Sequence, residues 1–167
     1  MMKRLLMFLA MTVALGAAAV GGVLVGSGGP ADASVRDGKL TTIRFRAHEV
    51  VKPRFLDSAP PKGPSSGDEI IEKEILYSNG KRIGYDLLHA TAETADPATQ
   101  TVDVIAEGVL VLKDGTINFQ GETTFRTIRV GVIGGTGAYQ HVLGQLTIVR
   151  TLPNGDDIDE VQFIHVD

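Results

Sequence analysis

VGVIGGTGAYQHVLGQLTIVR, residues 130–150, is the stretch whose reading decides the fold. A β-branched run enters a Gly-Gly-Thr-Gly turn. Tyr139 comes next, then Gly144, then a second alternating run through Leu146 and Ile148. Gly134, Gly135 and Gly137 permit positive φ and a tight change of direction. A glycine-rich turn can also cradle a phosphate, but that chemistry needs a helix after the turn. Here there is no GxGxxG spacing and no Lys-Ser or Lys-Thr pair, and residues 142–150 alternate as a strand does. The segment reads as a corner between two strands.

The same grammar repeats outward from this corner. Residues 40–50 alternate, with Ile43, Phe45 and Ala47 on one side and Arg44, Arg46 and His48 on the other. Residues 52–67 hold four of the seven prolines and no periodicity, which predicts a long loop. Residues 68–78 and 81–94 flank Asn79-Gly80, a strong hairpin signal. Residues 95–100 turn at Pro97. Residues 101–112 and 116–120 flank Asp114-Gly115. Residues 123–133 lead into the Gly134 corner. Residues 144–152 and 158–166 flank a Pro-Asn-Gly-Asp turn. These segments predict an all-β meander of eight strands, and closure into an antiparallel β-barrel would remove its unpaired edges. A barrel of this size has room for side chains or one small ligand.

The 167 residues divide into two parts. Lys3 and Arg4 precede an uncharged apolar stretch, residues 5–25, and Ala31-Asp32-Ala33 offers a small-x-small cleavage pattern. Residues 1–33 are therefore expected to be a signal peptide, with Ser34 as the mature N-terminus and residues 34–167 as the barrel domain. The apolar stretch is long enough to span a bilayer, so an uncleaved membrane anchor is the alternative. The chain has no cysteine, which excludes disulfides, thiolate metal sites and a lipid-modified cysteine. Without the leader, 14 of the 16 basic and 19 of the 20 acidic residues remain, a net charge of −5. That balance argues against nucleic acid as a partner. An exported protein with no stable membrane association after cleavage is expected.

Three segments in order carry a family resemblance: LYSNGKRIG (76–84), LKDGTINFQG (112–121) and VIGGTGAYQHVLGQLTI (132–148). With Gly67-Asp68 upstream, they resemble the allene oxide cyclase and dirigent-protein barrels over residues 42–166. The resemblance implies an eight-stranded, calycin-like barrel with an apolar cavity, assembled as a homodimer or homotrimer. It does not by itself imply that the cyclase chemistry is kept.

Glu49 continues the face of Ile43, Phe45 and Ala47 and is the candidate catalytic residue. A carboxyl on an apolar face is desolvated, which suits it to proton transfer; the alternative is a rim residue in water. In allene oxide cyclases the resemblance implies a cavity acid at the end of the first strand, where Glu49 falls. The family's polar residue just after it is matched by Val51, and the cavity cysteine of the third strand by Ala90. Tyr77, Tyr85, His89 and Arg150 are the candidate substrate-binding residues. Tyr85 and His89 share a face with Ile83 and Leu87, and Arg150 follows Leu146 and Ile148. The four histidines form no His-x-His or His-x-x-x-His pair, so no metal site is expected. Asp156, Asp157 and Asp159 lack the acidic residue that completes a cation loop, and they read as a solvated hairpin tip.

The expected function is cofactor-free cyclisation or isomerisation of a small apolar molecule held in the cavity. The alternative is a dirigent-like or lipocalin-like protein that orients or carries an apolar ligand without bond chemistry. A purely structural exported barrel is the third reading. Export favours the carrier, and the LYSNGKRIG match favours the cyclase.

Overall fold

A computed structural model describes residues 38–50, 53–57, 64–96, 101–124 and 128–166. The proposed signal peptide, and Val51 beside Glu49, lie outside the described residues. Among the described residues nine strands occur in chain order: β1 (Thr41–Glu49), β2 (Arg54–Leu56), β3 (Glu69–Ser78), β4 (Lys81–Asp96), β5 (Thr101–Leu112), β6 (Gly115–Thr124), β7 (Arg129–Gly135), β8 (Val142–Thr151) and β9 (Asp157–His165). Every pairing is antiparallel, and the order β1-β9-β8-β7-β6-β5-β4-β3 closes through a β1–β3 pair. The result is a closed eight-stranded barrel with β2 as a short extra ribbon on β3.

Three sequence expectations need correction. Arg54–Leu56 lies within the expected loop, yet its alternating residues pair with Ile71, Ile70 and Glu69. Thr123 and Thr124 extend β6 rather than opening the next strand, which begins at Arg129. β8 begins at Val142, two residues before Gly144.

The glycines of the corner work by close approach. Thr136 N–H donates to Thr116 O at 2.9 Å, and Ala138 N–H donates to Asp114 O at 2.8 Å. The corner is thus docked on the β5–β6 hairpin turn. Gly137 has φ +60°, and a Cβ there would lie 2.3 Å from Asp114 O. Only glycine fits such a contact. A 3₁₀ turn, Gly137–Tyr139, then sets the Tyr139 ring edge-on to Phe163 at 5.9 Å between centroids.

Period-two alternation sends Phe45, Ala47, Leu76, Ala90, Val104 and Ile117 inward, where all are buried. The same alternation on β3, β4 and β9 sends acids inward, which gives the barrel one end of different chemistry.

Candidate functional site in the barrel interior

On β3 the inward positions read Ile70, Glu72, Glu74, Leu76. On β4 Asp86 is buried, and on β9 Asp157 and Asp159 precede the buried Val161. Register brings these together. Glu74 stands opposite Asp86 on one side and opposite Glu49 of β1 on the other. Asp157 stands opposite Ala47, and Asp159 opposite Phe45. Glu49 lies on the same side of β1 as Phe45 and Ala47 and is half-buried. The interior is therefore acidic at this end, which corrects the expectation of a wholly apolar cavity.

The Glu74 backbone N–H donates to Asp86 Oδ1 at 2.9 Å, and the two side chains hydrogen-bond to each other. Burial pushes Glu74 up to about 10, reinforced by the charges of Asp86, Glu72, Asp159 and Asp157. Burial raises Asp86 to about 6, with hydrogen bonds from Glu74 opposing it. Glu72 is raised to about 7 by burial and then by Asp86, Glu49 and Asp157. Burial also raises Asp157, and it takes Asp159 well above the carboxylate range with help from Asp157, Asp86 and Glu72. Among the described residues, every side-chain charge that shifts these five acids is another carboxylate. Near neutral pH the cluster holds protonated and ionised carboxyls side by side, the arrangement that lets one site give and take protons.

The hairpin tip is split rather than solvated. Asp156 is only 2% exposed, and Arg46 Nη1 and His48 Nδ1 donate to its two oxygens at 2.8 and 2.7 Å. Burial works against ionisation of Asp156, but the hydrogen bonds from His48 and Asn154 and the charges of His48 and Arg46 leave its pKa lowered. This clamp ties the β8–β9 turn to β1 and so holds Asp157 and Asp159 at their positions.

The other four sequence candidates stand on the outer wall. Tyr77 lies under the Arg46 guanidinium, 5.0 Å from ring centroid to Cζ. Tyr85 lies under Lys73 Nζ at 4.7 Å. His89 is 40% exposed in its side chain and sits between Glu69 and Glu107, at 3.4 and 3.3 Å. A bulge between Ile148 and Arg150 turns Arg150 outward, opposite Ile158. A bulge at Leu76/Tyr77 likewise shifts Ile83 out of register with Tyr85. Tyr77, Tyr85, His89 and Arg150 therefore stand on the opposite face from the interior acids. Around His89, a depression of about 540 Å³ crosses the outside of the barrel over Ile71, Leu87 and Glu107. Among the described residues, no three His, Asp or Glu side chains converge as metal ligands.

Comparison with known proteins places this geometry. No family model and no curated protein matches the chain. Among solved structures, a pyocyanin demethylase is similar at 25% identity and TM-score 0.65, over 74% of this chain and 99% of that one. A Diels–Alderase from Streptomyces koyangensis is similar at 13% identity and TM-score 0.60, over 80% and 72%. A pterocarpan synthase dirigent protein is similar at 19% identity and TM-score 0.55, over 79% and 88%. By its closed barrel the chain shares the eight-stranded barrel fold of these Diels–Alderase and dirigent-protein structures.

Proposed function

We propose that this protein is a cofactor-free barrel enzyme that isomerises or cyclises a small, largely apolar molecule by proton transfer. The observation that carries this reading is the Glu74–Asp86 pair inside the barrel. Glu74 holds its proton and donates it to a substrate heteroatom. Asp86, ionised at neutral pH, accepts a proton from a substrate carbon. One proton enters the substrate and one leaves, so the step balances without an oxidant or reductant. Glu49, facing Glu74 across the β1–β3 pair, orients the substrate at the acidic end. Phe45, Val161 and Leu76 supply the apolar wall that excludes water. The 25% identity to a small-molecule enzyme along 99% of its length supports catalysis over carriage alone.

The test is conversion of small molecules extracted from the producing cells, read by mass spectrometry. Glu74→Gln keeps the shape and removes the acid, and it is expected to slow conversion roughly 100- to 10,000-fold with affinity little changed. Glu49→Gln is expected to slow it less. Unchanged conversion in Glu74→Gln would sink the reading. Tight binding with no conversion by any form would establish the carrier instead.

Export is part of the same proposal. Intact-mass analysis of exported protein is expected to show the loss of 33 residues, with Ser34 first. A full-length chain in the membrane fraction would establish the anchor. Self-association as a dimer or trimer is proposed through the outer wall, where Leu87, Ile105 and Ile133 are exposed. Sedimentation velocity would detect it.

A further inference from the structure

We propose that the acidic end of the barrel takes a small organic cation that donates N–H hydrogen bonds, an amine or amidine on an apolar body. The inference rests on the interior being a ligand site and adds the charge and hydrogen-bonding character of the ligand. A cluster of carboxyls alone would not require this. The deciding feature is that two of its oxygens are bare. Asp159 is only 4% exposed, and its buried Oδ1 has no hydrogen-bond partner among the described residues. Asp157, two residues away on the same face of β9, has a second buried Oδ1 without a partner. Buried acceptors in folded proteins are nearly always satisfied, so these two oxygens call for a donor. Asp159 also lies within the fields of Asp157, Asp86 and Glu72, the acids of the same end of the barrel.

These oxygens and charges set the chemistry of the occupant. An anionic ligand would meet the ionised Asp86 and further carboxyls that burial already keeps from ionising. A neutral hydrocarbon would leave both oxygens unsatisfied. A bare metal ion lacks three converging ligands among the described residues. A cationic nitrogen with N–H donors satisfies the oxygens and favours their ionised form, displacing the protons that burial keeps on them, since hydrogen bonds from a charged donor are the strong ones. Its apolar body has a wall ready: Phe45 stands opposite Asp159, and Ala47 opposite Asp157. Glu72, Glu74 and Asp157 are only partly buried, so this end of the barrel meets solvent.

Three probes of nearly one outline separate the possibilities: benzamidine, a cation at pH 7; benzamide, neutral; and benzoate, an anion. Titration of the purified full-length protein, read by calorimetry or ligand-observed NMR, is expected to show benzamidine at least tenfold tighter than benzamide, and no benzoate binding. Asp159→Asn is expected to weaken benzamidine at least tenfold and to leave benzamide unchanged. Glu160→Gln, on the same strand but the opposite face, is expected to change neither. Equal binding of benzamidine and benzamide, binding of benzoate, or an Asp159→Asn variant that keeps wild-type affinity would overturn the proposal. Should Asp159→Asn fail to fold, Asp157→Asn gives the same reading, and the ranking of the three probes on the wild type decides by itself. Loss of the cation preference with Glu74-dependent conversion intact would remove this inference alone. Cation binding without such conversion would remove the proton-transfer reading alone.

Discussion

Raising the pH from 5 to 8 is expected to destabilise this barrel. Five interior acids, Glu72, Glu74, Asp86, Asp157 and Asp159, hold their protons more tightly in the folded state than their ordinary values allow. The unfolded chain releases these protons near pH 3.8 for Asp and 4.5 for Glu. Above that point the folded state binds more protons than the unfolded state, so stability falls as pH rises. The fall continues for each group until its folded value is passed: about 6 for Asp86, about 7 for Glu72 and about 10 for Glu74. Asp156 has the opposite sign, but its contribution is lost only as pH drops through its lowered value, below 3.8.

Within its window each group contributes up to about 1.4 kcal/mol per pH unit, and because the groups interact and are partly solvated, the sum from pH 5 to 8 is on the order of 3–5 kcal/mol. For a domain of this size the melting temperature is then expected to drop by roughly 10 °C or more. Thermal unfolding by circular dichroism in matched-salt buffers at pH 5, 6, 7 and 8 measures this directly. The Glu72→Gln/Glu74→Gln double variant is expected to flatten the profile and to be the more stable protein at pH 8. A wild-type melting temperature that is flat or rising over this range would show that the interior acids are solvated. An interior that destabilises its own fold at neutral pH suits a site shaped for chemistry rather than for stability.

The architecture is legible in the sequence because its signals are local. Asn79-Gly80, Asp114-Gly115 and the Gly134–Gly137 corner each fix a turn, and the hydrophobic alternation on β1 and β5 fixes what lies between. The site is legible only at Glu49, where one face of β1 is apolar and the other charged. On β3 both faces are mixed: Ile70, Glu72, Glu74 and Leu76 on one, Ile71, Lys73, Ile75 and Tyr77 on the other. Alternation alone does not say which faces inward, so it hides the pair that matters most. Pairing decides it, because Leu76 stands opposite buried Ala47. Tyr85 and His89 mislead for a related reason. They share parity with Leu87, and an apolar outer wall imitates a core face. Arg150 misleads because a bulge after Ile148 reverses the parity, and no residue type marks that bulge. The acids of the Asn154-Gly155 turn look solvent-exposed because the apolar alternation starts only at Ile158, whereas β9 starts at Asp157.

Gly144→Ala is expected to be among the most damaging single-methyl additions to the strands. A Cβ at Gly144 would lie 1.9 Å from Gln162 O and 2.6 Å from Phe163 Cα. Both are backbone atoms of β9, so no side-chain rotation relieves the clash. β8 is paired to β7 through Val132 on its other side, so it cannot simply move away from β9. Moving β9 instead would disturb the Phe163 ring and its edge contact with Tyr139, which anchors the corner. Overpacking against fixed backbone of this kind costs on the order of 3–5 kcal/mol, a large share of the roughly 5–15 kcal/mol that typically holds a domain together. Gly121→Ala is the control. It adds the same methyl on β6, where the nearest atom is Val130 Cα at an ordinary 3.4 Å, and it is expected to stay within about 0.5 kcal/mol of wild type. Urea denaturation of the two variants side by side measures the difference. Equal midpoints would mean that the β8–β9 approach is looser than the barrel requires, and that the glycine after the corner is there for the turn rather than for strand packing.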